Sequence, residues 1–225
     1  MATLAPIRRE GLPFILAALA IAVIAGWLYA PLLWIGLIVT GWCAYFFRDP
    51  PRAVPLDDAA AVSPADGRVS AVSLVVPPDE LGLGPQTRRR VSIFMSVFDC
   101  HVNRAPVAGT VARIAYRPGR FFNAALDKAS EENERNGIVL DTAHGPIAVV
   151  QIAGLIARRI LCFVGQGERL LAGQRIGLIR FGSRLDVYLP ATAAVAVAVG
   201  QTAIAGETVI ARLGVSAPDI DVRLD

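Results

Sequence analysis

Few side chains in this 225-residue chain are equipped for bond-making chemistry. Ser183 follows Gly182 in the chain's one Gly-Ser dipeptide, the two histidines are His101 and His144, and Asp66 and Asp99 lie in turn-like contexts. A serine hydroxyl attacks an amide poorly unless a base takes its proton, and near neutral pH histidine is the usual base. A carboxylate held against the imidazole fixes its tautomer and steadies the cation that forms. Gly182-Ser183 stands between apolar runs in Arg180-Phe181-Gly182-Ser183-Arg184-Leu185-Asp186-Val187-Tyr188, so the stretch reads as a strand with an odd centre. Two readings fit that centre. One is a β-bulge, because glycine marks a bend and serine folds its hydroxyl back on its own backbone. The other is self-cleavage: Ser183 Oγ attacks the Gly182 carbonyl, the peptide becomes an ester, and β-elimination leaves a pyruvoyl group on the new N-terminus. The dipeptide alone does not decide between them. His144, in Thr142-Ala143-His144-Gly145-Pro146, reads as a hairpin turn, which leaves His101 as the candidate base.

The elements that must hold these residues fall into three stretches. Residues 11–47 carry no charge. Residues 12–30 make a helix of roughly 28 Å, close to a bilayer core. Pro31 breaks the pattern, and residues 32–47 form a shorter second run. Arg8 and Arg9 precede this segment and Arg48 and Arg52 follow it, which favours a membrane hairpin with both ends in the cytoplasm. Residues 1–47 are therefore expected as a hydrophobic helical hairpin, residues 48–61 as a Pro-rich linker and residues 62–225 as the catalytic domain. In the last stretch, short Val- and Ile-rich runs alternate with Gly, Pro and Asp turns, the pattern of a mainly β domain. Strands are expected at 68–75, 90–97, 110–117, 137–142, 147–153, 175–181, 184–189 and 208–213.

Two devices recur. Val164-Gly165-Gln166 leads to Ala172-Gly173-Gln174, as Val199-Gly200-Gln201 leads to Ala205-Gly206-Glu207. Pro64-Ala65-Asp66-Gly67-Arg68-Val69 is echoed by Pro106-Val107-Ala108-Gly109-Thr110-Val111. The expected fold is a duplicated barrel-sandwich-like β domain behind the hydrophobic hairpin. Residues 128–136 read as a polar loop or short helix, preceded by Phe121 and Phe122, and residues 217–225 as a polar tail.

Composition narrows the chemistry. A mean hydropathy of +0.51 is high for a wholly soluble chain, and a pI near 9.0 suits an anionic neighbour such as a lipid surface. No basic helix or basic-aromatic motif points to nucleic acid. Cys43, Cys100 and Cys162 are too far apart for a metal knuckle or a disulfide framework, and two histidines are too few for a zinc site. The single lysine, Lys128, has no phosphate-cradling glycine loop to support pyridoxal phosphate. It also lies outside the hairpin repeats, which counts against a lipoyl- or biotinyl-like carrier module, the alternative reading for duplicated β-hairpins on a membrane anchor.

One ordered set of motifs carries a resemblance. It runs Ser63-Pro64-Ala65-Asp66-Gly67, then His101-Val102-Asn103-Arg104-Ala105-Pro106, then Asn123-Ala124 with Asp127-Lys128-Ala129 and Asn133-Glu134-Arg135-Asn136. Gln151-Ile152-Ala153-Gly154 and Arg180-Phe181-Gly182-Ser183-Arg184 complete it. In this order the chain resembles the phosphatidylserine decarboxylase proenzyme family in its short form, with Phe181 and Arg184 flanking the dipeptide where long-form members have leucine and threonine. The resemblance implies cleavage between Gly182 and Ser183 into a β chain, 1–182, and an α chain, 183–225, that stay together as a heterodimer. It implies a covalent pyruvoyl cofactor made from Ser183, no metal, a phospholipid substrate and a place at the cell membrane. His101 is then the base and proton donor and Asp66 its acid, with Asp99 the runner-up. The second histidine of long-form members falls at Arg104, so a two-histidine division of labour does not carry over. Arg104, Asn133 and Arg135 are the expected contacts of the anionic headgroup, since arginine suits phosphate and carboxylate geometry.

Overall fold

Tyr29 alone separates two apolar helices, α1 (Leu12–Leu28) and α2 (Ala30–Phe46), in a computed structural model that describes residues 5–119, 133–154, 159–180 and 183–214. Tyr29 is extended (φ −153°) and makes the turn. Pro31 is not the breaker: it lies in the first turn of α2, where its missing N–H costs nothing. The helices approach closely because Gly36 faces Ala22, where a Cβ on Gly36 would come 2.3 Å from the alanine Cβ. Phe14 and Phe47 stack at 5.5 Å, and the Arg8 N–H donates to Phe47 O at 2.9 Å, closing the open end of the hairpin. With the 3-10 turn Arg9–Gly11, the stretch Arg9–Leu28 is long and apolar enough to cross a membrane, whereas Ala30–Phe46 is shorter. The chain divides into two units: residues 1–51 with Phe98–Cys100, and Arg52–Val97 with all that follows His101. Within the first unit, Arg48 Nη2 donates to Phe98 O at 2.9 Å and Cys100 Sγ to Arg48 O at 3.2 Å.

The second unit is built of strands. Among the described residues, eight form one curled sheet: β13 (Thr202–Ala203), β2 (Gly67–Val75), β3 (Arg88–Met95), β11 (Ser183–Leu189), β7 (Ile147–Ala153), β6 (Arg135–Asp141), β5 (Gly109–Arg117) and β9 (Arg169–Leu170), in that spatial order. Two three-stranded sheets complete the unit. In one, β14 (Val209–Arg212) lies between β1 (Ala60–Val62) and β12 (Ala194–Val195); in the other, β10 (Arg175–Ile179) lies between β4 (Val102–Arg104) and β8 (Ile160–Cys162). Period-two alternation puts Ile93, Leu185, Val187, Val149 and Ile138 on the inner face of the large sheet. There they join Ala61, Ile176 and Ile210 of the small sheets in the main core. The outer face is covered by Leu81 and Leu83, which pack on Val139, Val150, Ile152 and Tyr188. Residues 52–59 of the expected linker belong to this unit: Val54 lies against Gly173, and Asp57 receives Arg212 Nη1 at 2.8 Å.

The echo read in the sequence is a duplication of structure. Val69 N–H donates to Gln201 O and Val69 O accepts Gly200 N–H; Val111 does the same with Glu168 O and Gly167 N–H. The β2–β3 ladder slips between Val69 and Ala71, and the β5–β6 ladder slips at the matching place, between Val111 and Arg113. Val62 N–H donates to Pro106 O while Arg104 N–H donates to Pro64 O, so the copies clasp each other reciprocally. They are nested. The copy β4 to β10 is continuous in sequence; the other begins with β1, β2 and β3 and resumes at β11. In the continuous copy, β6 passes to β7 through the tight turn at His144, whereas in the split copy the whole second copy stands between β3 and β11. The stretch 180–188, read as a strand with an odd centre, instead joins two strands in two different sheets, in keeping with the separate strands expected at 175–181 and 184–189. β10 ends at Ile179, and β11 starts at Ser183.

Candidate active site

Register gathers the sequence-expected residues along one rim of the large sheet. Met95, the last residue of β3, pairs with Ser183, the first of β11, and Ser183 pairs with Ala153, the last of β7. β2 starts on the same rim at Gly67, with Asp66 one residue before it. Gly67 has φ 149°, and a Cβ there would lie 2.1 Å from Phe94 O, so only glycine lets the Asp66 turn press against β3. Asn133 is buried beside the rim, where its Nδ2 donates to Ala153 O at 2.7 Å.

Ser183 faces inward with Leu185 and Val187. It is 0% exposed, and its Oγ has no hydrogen-bond partner among the described residues. Gly182, the other half of the dipeptide, lies outside the described residues, as do Phe121, Phe122, Lys128 and the tail 217–225. His101 is also 0% exposed and immediately precedes β4. Its carbonyl accepts Ile179 N–H at 3.3 Å, and four residues of chain then reach Ser183, a span of at most ~14 Å.

Asp66 is held by two partners. Its Oδ2 accepts Arg52 Nη2 at 2.6 Å, and its Oδ1 accepts Ala205 N–H at 2.8 Å. Among the described residues these, and not the imidazole of His101, are its hydrogen-bond partners. Arg104 is buried, and its Nη1 donates to Gly173 O at 2.9 Å. Arg135 departs from expectation. Strand alternation turns it to the outer face with Val139, opposite to Ser183, and it pairs with Glu80. Asp99 falls in the stretch that groups with the helical unit, and His144 Nε2 lies 3.2 Å from Asp58 O in the β6–β7 turn.

Two polar groupings were not anticipated from the sequence. On the outer face Arg184 grips Asp186 with two bonds of 2.8 Å, both side chains buried. Tyr188 follows on the same face, its hydroxyl pushed up to about 12 by burial and then by the Asp186 charge. On the inner face three amides form a chain: Asn136 Nδ2 donates to Gln151 Oε1 at 2.9 Å, and Gln151 Nε2 to Asn103 Oδ1 at 2.8 Å. Asn103 Nδ2 is left with the Met95 thioether at 3.7 Å. The trace of this chain in the sequence is a glutamine inside the apolar run 147–153.

The buried Ser183 hydroxyl at the head of a central strand, without a hydrogen-bond partner among the described residues, fits a residue that is consumed to make a carbonyl prosthetic group. Among the described residues no three His, Cys, Asp or Glu side chains cluster as a metal site needs. The family model described as phosphatidylserine decarboxylase matches residues 39–211, and that match sets the class of protein, a carboxy-lyase. The chain belongs to the phosphatidylserine decarboxylase family, and its substrate class is a phospholipid.

Proposed function

We propose that the chain is a proenzyme that breaks its own backbone between Gly182 and Ser183, then converts phosphatidylserine to phosphatidylethanolamine and CO2 with the pyruvoyl group left on the new terminus. The observation that carries this reading is the Ser183 hydroxyl, buried, unbonded and first in β11. Buried polar atoms are almost always paired, and leaving one unmade costs about 1–3 kcal/mol. The Ser73 and Ser92 hydroxyls share that state, but of the three serines Ser183 alone follows a glycine and heads its strand, and a nucleophile there explains the exception.

In this reading His101 takes the hydroxyl proton as Oγ bonds to the Gly182 carbonyl carbon. The C–N bond breaks, the proton passes to the departing nitrogen, and an ester joins the two pieces. Loss of the Ser183 α-proton with rupture of Cβ–Oγ leaves a carboxylate on Gly182. Water then replaces the nitrogen of residue 183, which departs as ammonia, and a ketone remains. Asp66 steadies the imidazolium by its charge, while Arg52 and Ala205 N–H fix where that charge lies. The pyruvoyl carbonyl, once made, supplies the electron sink that decarboxylation of an amino acid needs. His101 returns a proton to the carbon that lost CO2. Asn133, bonded to Ala153 beside Ser183, and Arg104 on β4 are the headgroup contacts in this reading. The α chain stays with the β chain because β11 lies between β3 and β7. The hairpin, with arginines at both ends, holds the enzyme to the cell membrane with its β unit in the cytoplasm.

Mass spectrometry of the purified chain tests the reading. Two pieces are expected, the smaller starting at residue 183 with a blocked, ketone-reactive terminus, and Ser183→Ala is expected to stay full length and inactive. An intact wild-type chain that decarboxylates lipid would refute it.

A further inference from the structure

The amide chain on the inner face ends above the proposed nucleophile. Asn103 touches Met95 on β3 with its Nδ2 and Gln151 on β7 with its Oδ1. Between β3 and β7 runs β11, whose inward residues at those levels are Ser183, paired with Met95, and Leu185, paired with Gln151. The Asn103 amide therefore bridges β11 across the Ser183–Leu185 step. The donors run one way along the chain. Asn136 donates to Gln151 Oε1 and Gln151 Nε2 to Asn103 Oδ1, which leaves Asn103 Nδ2 on the side of Met95, the partner of Ser183. That donor is fully buried and is met there by a thioether, a weak acceptor. Space for the chain is kept by Gly177, where a Cβ would lie 2.6 Å from Gln151 Nε2.

The duplicate copy shows that the fold does not need these amides. Asn103 pairs with Gly177 as Ala61 pairs with Ala211, and Gln151 pairs with Asn136 as Leu189 pairs with Arg89. In the split copy, whose β11 carries Ser183, the positions of Asn103 and Gln151 are thus filled by Ala61 and Leu189, both in the apolar core, and it is the continuous copy that brings amides to the serine.

We infer that Asn103 is a catalytic residue of self-cleavage, its Nδ2–H donating to Ser183 Oγ as negative charge gathers on that atom. This rests on the proposed cleavage at Gly182-Ser183. The charge gathers twice on the same oxygen: when the base removes its proton, and when the Cβ–Oγ bond breaks and Oγ leaves as part of the Gly182 carboxylate. The amide neither gains nor loses a proton in either step. Gln151 and Asn136 are positioning residues that act through Asn103.

The test follows full-length chain made by pulsed cell-free synthesis and resolves it on denaturing gels over time. Asn103→Asp keeps the shape but removes the donor, and cleavage is expected to slow by about 100-fold, the usual loss for one buried donor at a developing oxyanion. Gln151→Glu can only accept, so it turns the Asn103 amide round and is expected to slow cleavage to a similar degree. The double variant is expected to be no slower than Asn103→Asp alone, whereas two merely structural losses would multiply. Circular dichroism on the purified variants keeps folding separate from rate. Folded Asn103→Asp or Gln151→Glu protein that cleaves at the wild-type rate would overturn the role of Asn103. A wild-type chain that never cleaves would instead overturn the proenzyme reading beneath it.

Discussion

At the scale of single residues, the proposed chemistry rests on buried polar atoms. His101 is fully buried before β4, and His101→Ala is expected to abolish or slow processing by at least about 100-fold in the gel assay, as loss of a general base does. Tyr188 offers a prediction that titration checks. Its folded-state pKa of about 12 lies above the ordinary 10, so the fold favours the neutral phenol. The stabilisation is fully present below pH 10 and is lost as pH rises from 10 through 12, where the unfolded chain ionises first. The difference between about 12 and the ordinary 10 corresponds to about 3 kcal/mol. Tyr188→Phe should therefore unfold less steeply than wild type in urea titrations across that window. Ser183 and His101 could be singled out as candidates in the sequence because serine after glycine and one of two histidines are rare types. The partners of Asp66 were not, because Arg52 and Ala205 reach it from opposite ends of the chain. The face Arg135 takes was not legible for a simpler reason: only strand register tells which face a side chain takes, and a one-residue slip reverses it.

Among the elements, β11 has most to hold in place. Its inner face, Leu185, Val187 and Leu189, is wholly buried, and Arg184 is clamped to Asp186 on the outer face. Leu185→Ala is expected to cost about 3 kcal/mol of stability in denaturant unfolding, in the range of buried leucine truncations. Gly67→Ala should cost more than an ordinary surface change and should slow processing too, since β3 backbone occupies the space a methyl would need. The recurring Gly-Val devices could be read in advance because a turn glycine and a β-branched strand are local signals. The change of sheet between β10 and β11 left no such signal. Apolar residues run through both strands, and which partners each strand takes is decided by the other copy. The turn at Tyr29, two residues ahead of Pro31, shows the same limit: proline marks where a helix can begin as well as where it must stop.

For the molecule as a whole, the helical unit and the β unit divide at Pro51. Removal of residues 1–47 is expected to release the protein from sedimented membranes into the supernatant. A truncated chain that still pellets fully would assign lipid binding to the β unit. The nested copies carry a further consequence. Once the bond before β11 is cut, the strand between β3 and β7 is no longer tethered to its neighbours by the chain, and the loop-closure advantage of a single polypeptide is gone. Renaturation then requires an encounter between two separate fragments, so its yield should climb with protein concentration for the mature enzyme and stay flat for Ser183→Ala. On the proposed cleavage, maturation in this architecture would work as a ratchet: the reactive carbonyl would be gained at the moment the ability to recover unaided from denaturation is given up.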